Sequence, residues 1–512
     1  MALIPFVIDF SNLGMNTTLA NDKASFVEVK NADVSRAGSF RKRRGLEDYT
    51  SGNDITKTKV NAITPLYKKG RLGGSAATLV AIADDETWAV TTISNSWAKF
   101  GSAVTNADTY PYRIAWGITA AGNPAVYFAN STPGVIRFDT NGTNLVIGSG
   151  TFTLGNSVEY FLDKLWVGGV SGFPDRLYYS QTGDDDDWTG SNSGNIPLRT
   201  PGGGTNAQSL KIQGLRVYRD RLYILSSAAL HVLTGKTNST FGKQILRDAN
   251  FPNGSTMWVA GEWLFWADRD GIWQFNGTTA INIAQRDMRE RWETLDDAGD
   301  VDVASGSWDD QYRYYTVFFP AAGEQWFFYY DTQQWTVMTY ATTDNIRTIG
   351  PPATYAGLNP NSPLIGAVTN GKAYITRSAT TDDGNAITGS FKTGHVRLGE
   401  LQDGKPGDRF SIRRVDVETA EQDETGVVNL IFTIDGAAQT SKALTVTDAG
   451  ATTDTFPTSY DGQNSNTIVD LSDILLTGKY MQLEVTDDDA NSRCDIRRIV
   501  VWYERLEGLA GA

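Results

Sequence analysis

Short aromatic-rich stretches, each broken by a tight polar turn, recur along this chain at a spacing that few folds can use. Phe161-Leu162-Asp163-Lys164-Leu165-Trp166-Val167, Pro174-Asp175-Arg176-Leu177-Tyr178-Tyr179, Val217-Tyr218-Arg219-Asp220-Arg221-Leu222-Tyr223, Gly261-Glu262-Trp263-Leu264-Phe265-Trp266 and Trp308-Asp309-Asp310-Gln311-Tyr312-Arg313-Tyr314 all read as strand, turn, strand. The turns near 175, 220, 262 and 310 lie 45, 42 and 48 residues apart. A four-stranded antiparallel unit with its connections takes about 40–50 residues, the period of a β-propeller blade. Asp84-Asp85-Glu86-Thr87-Trp88 and Gly122-Asn123-Pro124-Ala125-Val126-Tyr127-Phe128 fit two earlier units, and Asn370-Gly371-Lys372-Ala373-Tyr374-Ile375 a late one. Second turn signals fall between them at Asp139-Thr140-Asn141-Gly142, Asn276-Gly277 and Asp331-Thr332-Gln333. The expected fold is all-β: a β-propeller of six or seven irregular blades over residues 61–385.

Three departures from that pattern divide the chain. Ile283 to Leu295 is charged, with Met288, Trp292 and Leu295 at helical spacing, which predicts one helix inserted between blades as a packing prop. From 386 to 512 the aromatics thin and alternation sharpens: Ser411-Ile412-Arg413-Arg414-Val415-Asp416-Val417 is echoed by Asp495-Ile496-Arg497-Arg498-Ile499-Val500-Val501, and further strands are expected over 427–434, 442–446 and 480–485. This predicts a separate C-terminal β-sandwich. Residues 1–60 read as an irregular N-terminal arm that carries the basic cluster Arg41-Lys42-Arg43-Arg44.

Composition excludes several function classes. With 45 Lys and Arg against 59 Asp and Glu, the net charge is −14, which disfavours wrapping of nucleic acid by counterion release. A single cysteine, Cys494, rules out an internal disulfide and a cysteine-rich zinc cluster, and two histidines, His231 and His395, close every plan that needs more. The apolar start, Met1 to Phe10, lacks a basic flank and meets Asp9, so it does not read as a signal peptide, and no apolar run is long enough to span a bilayer. The expectation is a soluble protein made in a reducing compartment.

The residues offer few footholds for chemistry. Asp184-Asp185-Asp186-Asp187 before Trp188 has oxygen ligands for calcium or a carboxylate pair for glycoside hydrolysis, but the Gly and distal Glu of a calcium loop are missing, and a solvated loop tip is the plainer reading. His231, with Ser226 and Ser227 nearby, lacks a nucleophile elbow and reads as structural, as does His395. Gly235-Lys236-Thr237 has Leu230 where a phosphate loop needs its first Gly, and Gly202-Gly203-Gly204 lacks a Lys; both read as turns. Cys494 reads as a small core residue. Ser180-Gln181-Thr182-Gly183-Asp184 does not match the turn box of propeller sialidases. No catalytic, cofactor or metal site is assigned, and the chain is not expected to be an enzyme. The candidate partner contact is Arg41, Lys42, Arg43 and Arg44, whose guanidinium groups suit phosphate or an acidic neighbour.

The stretch from Asn31 through Gly38 and Arg41-Lys42-Arg43-Arg44 to Gly45 resembles the opening of the tail nozzle proteins of short-tailed bacteriophages, which include tail tubular protein B and the packaged-DNA stabilisation proteins. Arg44 stands where that pattern has Pro. Asp175-Arg176-Leu177-Tyr178-Tyr179-Ser180 with Trp188 is similar to a recurring hairpin of the same proteins, and the segments Gly394-His395-Val396-Arg397-Leu398-Gly399 and Ile412-Arg413-Arg414-Val415 are similar to their sandwich. The resemblance implies a structural virion protein without a cofactor: a homo-hexameric tube below the portal and its adaptor ring, also meeting a tail fibre or spike and a plug protein. Such a tube retains packaged double-stranded DNA and conducts it without sequence-specific binding. Six copies would carry six times the charge of −14, and an acidic lumen repels a sliding duplex instead of braking it. In this reading the arm grips a neighbour or the adaptor, and deleting 1–45 leaves the propeller folded. The alternative is a carbohydrate-binding or glycan-cleaving tail propeller, whose exposed aromatics would stack on sugars.

Overall fold

The computed structural model describes residues 3–10, 26–33, 40–48, 54–66, 78–90, 96–100, 111–139, 144–147, 151–152, 154–198, 210–248, 250–309, 311–340, 346–352, 363–367, 371–398, 401, 408–420, 426–439, 441–446, 464–470, 476–489 and 494–506. The expected turns at Asn141-Gly142, Gly202-Gly203-Gly204 and Asp310, and residues Gly38 and Gly399 of the family resemblance, lie outside them.

Among the described residues seven four-stranded antiparallel units follow one another as a β-propeller. Six are contiguous in sequence, over 60–99, 113–147, 157–197, 212–248, 258–282 and 305–339, and the chain steps from one edge of each to the other. The seventh takes Ile346–Pro352, Pro363–Ala367 and Ala373–Ala379 and borrows its fourth strand, Gly45–Asp48, from the other end of the chain. The hairpin turns follow from local chemistry. Leu162 and Asp163 have φ of 53° and 54°, and Arg219 and Asp220 have 47° and 56°, so both two-residue loops are of the type whose twist matches the flanking strands.

Each blade touches the next through large side chains and strand-end hydrogen bonds. The Tyr160 ring lies against Gly117, where a Cβ would sit 2.5 Å from its ring carbon. Glu159 pairs with Arg216 at 3.3 Å, Phe265 stacks on Tyr315 with centroids 4.7 Å apart, and Ser307 Oγ donates to Gly350 O at 2.7 Å. The seventh blade packs on the first: Ile55, Val60 and Ile63 share a core with Leu364, Ala373 and Ile375. Each buried aromatic removes roughly 150–250 Å² from water, and paired rings add about 0.5–1.5 kcal/mol beyond area.

The predicted helix is present as two short helices, Ala284–Asp287 and Arg289–Asp297. Met288, Trp292 and Leu295 are buried as their spacing required, and Trp292 meets Phe319 and Trp326 edge-on at 5.8 and 6.0 Å.

Beyond the propeller, two sheets pack face to face. One contains Arg409–Ala420 and Asp495–Leu506 as antiparallel neighbours, with Val415 opposite Val501 and Val417 opposite Ile499, so the two echoed motifs pair with each other. The second contains Gly389–Thr393, Met481–Asp487 and Gly426–Ile434.

The described residues of 1–60 are strands built into the fold and not an irregular arm. Ile4–Asp9 adds to the edge of Asp495–Leu506, and Phe40–Arg41 pairs with the same strand. Phe26–Lys30 runs parallel to Gln334–Thr339 of the sixth blade on one side and antiparallel to Gly389–Thr393 of the sandwich on the other. One N-terminal strand therefore makes the sixth blade and a sandwich sheet a single ten-stranded sheet, so the sandwich is not separate. Phe10, Phe26, Phe40 and Phe391 fill the junction with ring centroids 4.9–5.8 Å apart. The propeller begins in sequence at 45, not 61, because its last blade is incomplete without Gly45–Asp48.

Candidate functional site

The basic cluster faces inward for half its length. Lys42 and Arg43 are buried, Arg41 is half-buried and Arg44 is exposed. Arg43 uses all five of its N–H donors inside the chain. Its Nη1 and Nη2 donate to Asp382 Oδ1 and Oδ2 at 2.8 and 2.5 Å, Nη1 also to Arg44 O at 3.0 Å, Nη2 to Thr339 O at 2.7 Å, and Nε to Asn31 Oδ1 at 3.1 Å. Asn31 in turn accepts from Thr339 N at 2.9 Å and donates to Thr388 O at 2.8 Å. Lys42 Nζ donates to Asp487 Oδ1 at 2.9 Å and to Asp489 O, while Asp487 Oδ2 accepts from Cys494 N at 3.0 Å. Burial pushes the Asp487 carboxyl up and Lys42 opposes it.

These contacts correct the expectation of a partner contact at Lys42 and Arg43: both charges are spent on buried carboxylates of the same chain. The sequence signal was sound as to importance and wrong as to address. A run of cations in an acidic chain looks solvated, and nothing local reveals that Asp382 and Asp487 wait more than three hundred residues away. Gly45 belongs to the same knot. A Cβ there would lie 1.9 Å from Thr381 O, so only glycine lets Gly45–Asp48 reach the seventh blade.

The four acidic residues of the 184–187 loop do not converge. Asp185 is buried and accepts from Ala120 N at 3.1 Å, Tyr127 Oη at 2.9 Å and Arg137 Nη1 at 2.9 Å. Asp187 accepts from Thr189 N and Gly190 N, both at 2.9 Å, which holds its carboxyl below the ordinary range. Asp184 accepts from Asp186 N at 3.1 Å. Among the described residues no three metal-ligating side chains come together. The loop is an interblade clasp whose inward member is Asp185.

His231 Nε2 lies 3.1 Å from Ser226 Oγ, but both residues are fully buried, and Ser226 Oγ is engaged with the backbone of Ala229. Burial pulls the imidazole down to about 4, with Lys243 adding to the effect. A neutral histidine closed off from solvent is a core group, as the sequence suggested. Gly235-Lys236-Thr237 is a turn at φ 84°, closed by Thr240 Oγ1. Cys494 is buried, with its thiol pushed up to about 12 by burial and by Asp487. His395 is exposed.

Sequence reading missed a polar cleft of about 400 Å³ between the outer strands of the fourth and fifth blades and the inserted helix. Arg247 lies over the Trp273 ring at 3.6 Å, and Arg269 bridges Asp296 and Asp302 at 2.8 and 2.7 Å. Arg289 pairs with Glu293 along the helix at 2.8 Å. Ile245 and Ile281, each 54 % exposed, stand on the two outer strands, Gly242–Asp248 and Ala280–Asn282. These residues come from three strands, a turn and the helix, which share no motif, so no spacing along the chain marks them.

No family model and no curated protein matches this chain. The fold is similar to virginiamycin B lyase from Staphylococcus aureus, at 9 % identity and TM-score 0.40, over 65 % of this chain and 98 % of that one. The β-propeller domain of Cps50 (Swd1) from Myceliophteria thermophila gives 11 % identity and TM-score 0.40 over 64 % of this chain and all (100 %) of that one. BamB from Moraxella catarrhalis gives 12 % and 0.34 over 67 % and 97 %.

Proposed function

We propose that this chain is a structural virion protein of a short-tailed bacteriophage, a subunit of the tail nozzle. Six copies form a tube below the portal and adaptor ring, bounded by fibre or spike and plug proteins, that retains packaged DNA and conducts it at ejection. One observation supports this reading. Four of the residues that carry the family resemblance sit at the joint between propeller and sandwich: Asn31 and Arg43 share one buried network with Asp382, Lys42 is tied to the buried Asp487, and Gly45 admits the closing strand beside them. A conduit subunit under pressure needs its two lobes joined rigidly, and a bidentate buried ion pair with every donor engaged resists shear between them. The acidic balance of −14 suits a lumen that DNA must slide past. The role is structural, not catalytic. Immunogold labelling of virions with antibody against this chain tests it: gold at the tail vertex is expected, and label confined to distal appendages, or none on intact or opened particles, would count against it.

The second reading, a glycan-binding tail propeller, draws support from the Arg247–Trp273 cleft, which combines an aromatic ring with polar groups from several elements. Its test is binding to a glycan array of host envelope sugars, lost in Trp273→Ala.

A further inference from the structure

The innermost strands of the third and fourth blades run side by side in one direction, since Asn156 Nδ2 donates to Gln213 Oε1 at 3.3 Å and Glu159 pairs with Arg216 at 3.3 Å at the same sequence offset. The innermost strand of the second blade, Arg113–Ile118, lies on the other side of the third, with Gly117 under Tyr160. Two cations stand at the beginnings of these strands without a counter-charge among the described residues. Arg113 opens Arg113–Ile118 and is only 8 % exposed. Its Nη1 donates to Pro111 O at 3.3 Å, and among the described residues its buried Nε has no acceptor. Asn130 Nδ2 donates to the same Pro111 oxygen at 3.0 Å and so fixes the segment that carries Arg113. Lys211 immediately precedes Ile212–Tyr218 and is exposed.

Among the described residues no carboxylate pairs with either cation. Burial alone pulls the Arg113 guanidinium down to about 10, and the Lys211 ammonium, on a side chain that reaches solvent, is acidified by partial desolvation and by the charge of Arg113. The contrast within the same fold is sharp. Arg216, equally buried, has Glu159, Met257 O and the Trp258 ring; Arg43 has Asp382; Lys42 has Asp487. Buried charge is as a rule paired or hydrogen-bonded.

We propose that Arg113 and Lys211 form a binding site for an oxyanion group, a phosphate or a carboxylate, at the leading end of the innermost strands of the second and fourth blades. The buried guanidinium supplies a planar fork that fits two oxygens, and the exposed lysine supplies a point charge on the solvent side through which the anion enters. This site is independent of the tail reading.

The test titrates the full-length chain with inorganic phosphate and with malonate, each against chloride at matched ionic strength, by calorimetry and thermal unfolding. Saturable binding with a raised Tm is expected for at least one oxyanion; preference for phosphate identifies a phosphoryl group, preference for malonate a carboxylate. Lys211→Met should weaken binding about tenfold and Arg113→Met should abolish it. Lys211 is on the surface, so its variant decides the matter even where Arg113→Met fails to fold. A response to both oxyanions no greater than to chloride, or unchanged affinity in Lys211→Met, overturns the site.

Discussion

The guanidinium of Arg43 and the carboxylate of Asp382 meet through two hydrogen bonds, 2.8 and 2.5 Å long, across 339 residues of chain. Asp382 follows the seventh blade and also accepts from Leu46 N at 3.2 Å, while Arg43 reaches Thr339 O at the end of the sixth blade. The pair therefore joins the N-terminal segment, the last two blades and the entry to the sandwich.

Breaking that pair from one side should be costly. Arg43→Met leaves a buried carboxylate unpaired, and we expect a loss of about 3–5 kcal/mol in urea unfolding. Arg43→Lys should not rescue it, because an ammonium cannot serve five acceptors in a plane. Combining Arg43→Met with Asp382→Asn should recover part of the loss; a double variant no better than the single would show that the pair is not the source.

Gly45→Ala should disrupt the seventh blade, because the added Cβ would sit 1.9 Å from Thr381 O. Hydrogen exchange should show lost protection in Ala373–Ala379, whose partner strand is displaced. Unchanged protection there would mean that the strand tolerates the side chain.

Truncation of residues 1–48 should do more than remove an accessory. It uncovers the edges of Ala373–Ala379, Gly389–Thr393 and Asp495–Leu506, and exposed edges of this kind aggregate. Size-exclusion chromatography should show aggregates; a monodisperse product with wild-type near-ultraviolet dichroism would return the segment to the status of an arm.

His231 should make stability fall in acid. Its folded value, about 4, lies below the ordinary 6.5, so the unfolded chain takes up the proton first as pH falls. The contribution is fully present above about 6.5 and is lost towards about 4, by up to about 3 kcal/mol. Asp268, pushed up to about 6 by burial, acts in the opposite sense, so the informative quantity is the difference between wild type and His231→Leu. Parallel pH profiles for the two would contradict the assignment.

Cys494, the single cysteine, should be silent to thiol reagents in the native state and react as one equivalent in denaturant, because it is buried with its thiol pushed up to about 12. Fast native labelling would mean that the joint beside Asp487 opens.

The blades were legible because their signals are local. Two-residue turns such as Leu162-Asp163 and Arg219-Asp220 sit inside the hairpins they form, and the helix announced its buried face through Met288, Trp292 and Leu295. The joint was not legible. Phe26–Lys30 finds both its partners more than three hundred residues downstream, and four-residue Gly45–Asp48 is too short to show alternation. Lys42 and Arg43 looked like surface because cations usually are, and the buried carboxylates that reverse that expectation lie far off in sequence, Asp382 just after the seventh blade and Asp487 in the sandwich. Arg113 carries no local mark, since its distinguishing feature is the lack of a carboxylate partner among the described residues.

The measurement that bears most directly on the proposed role is a cryo-electron microscopy reconstruction of the tail of virions that carry this chain. The account predicts six copies around the DNA axis immediately below the portal adaptor, each with propeller and sandwich joined as one body through Arg43 and Asp382. Density for this chain only at the tips of fibres or spikes, or a tail without it, would contradict the account.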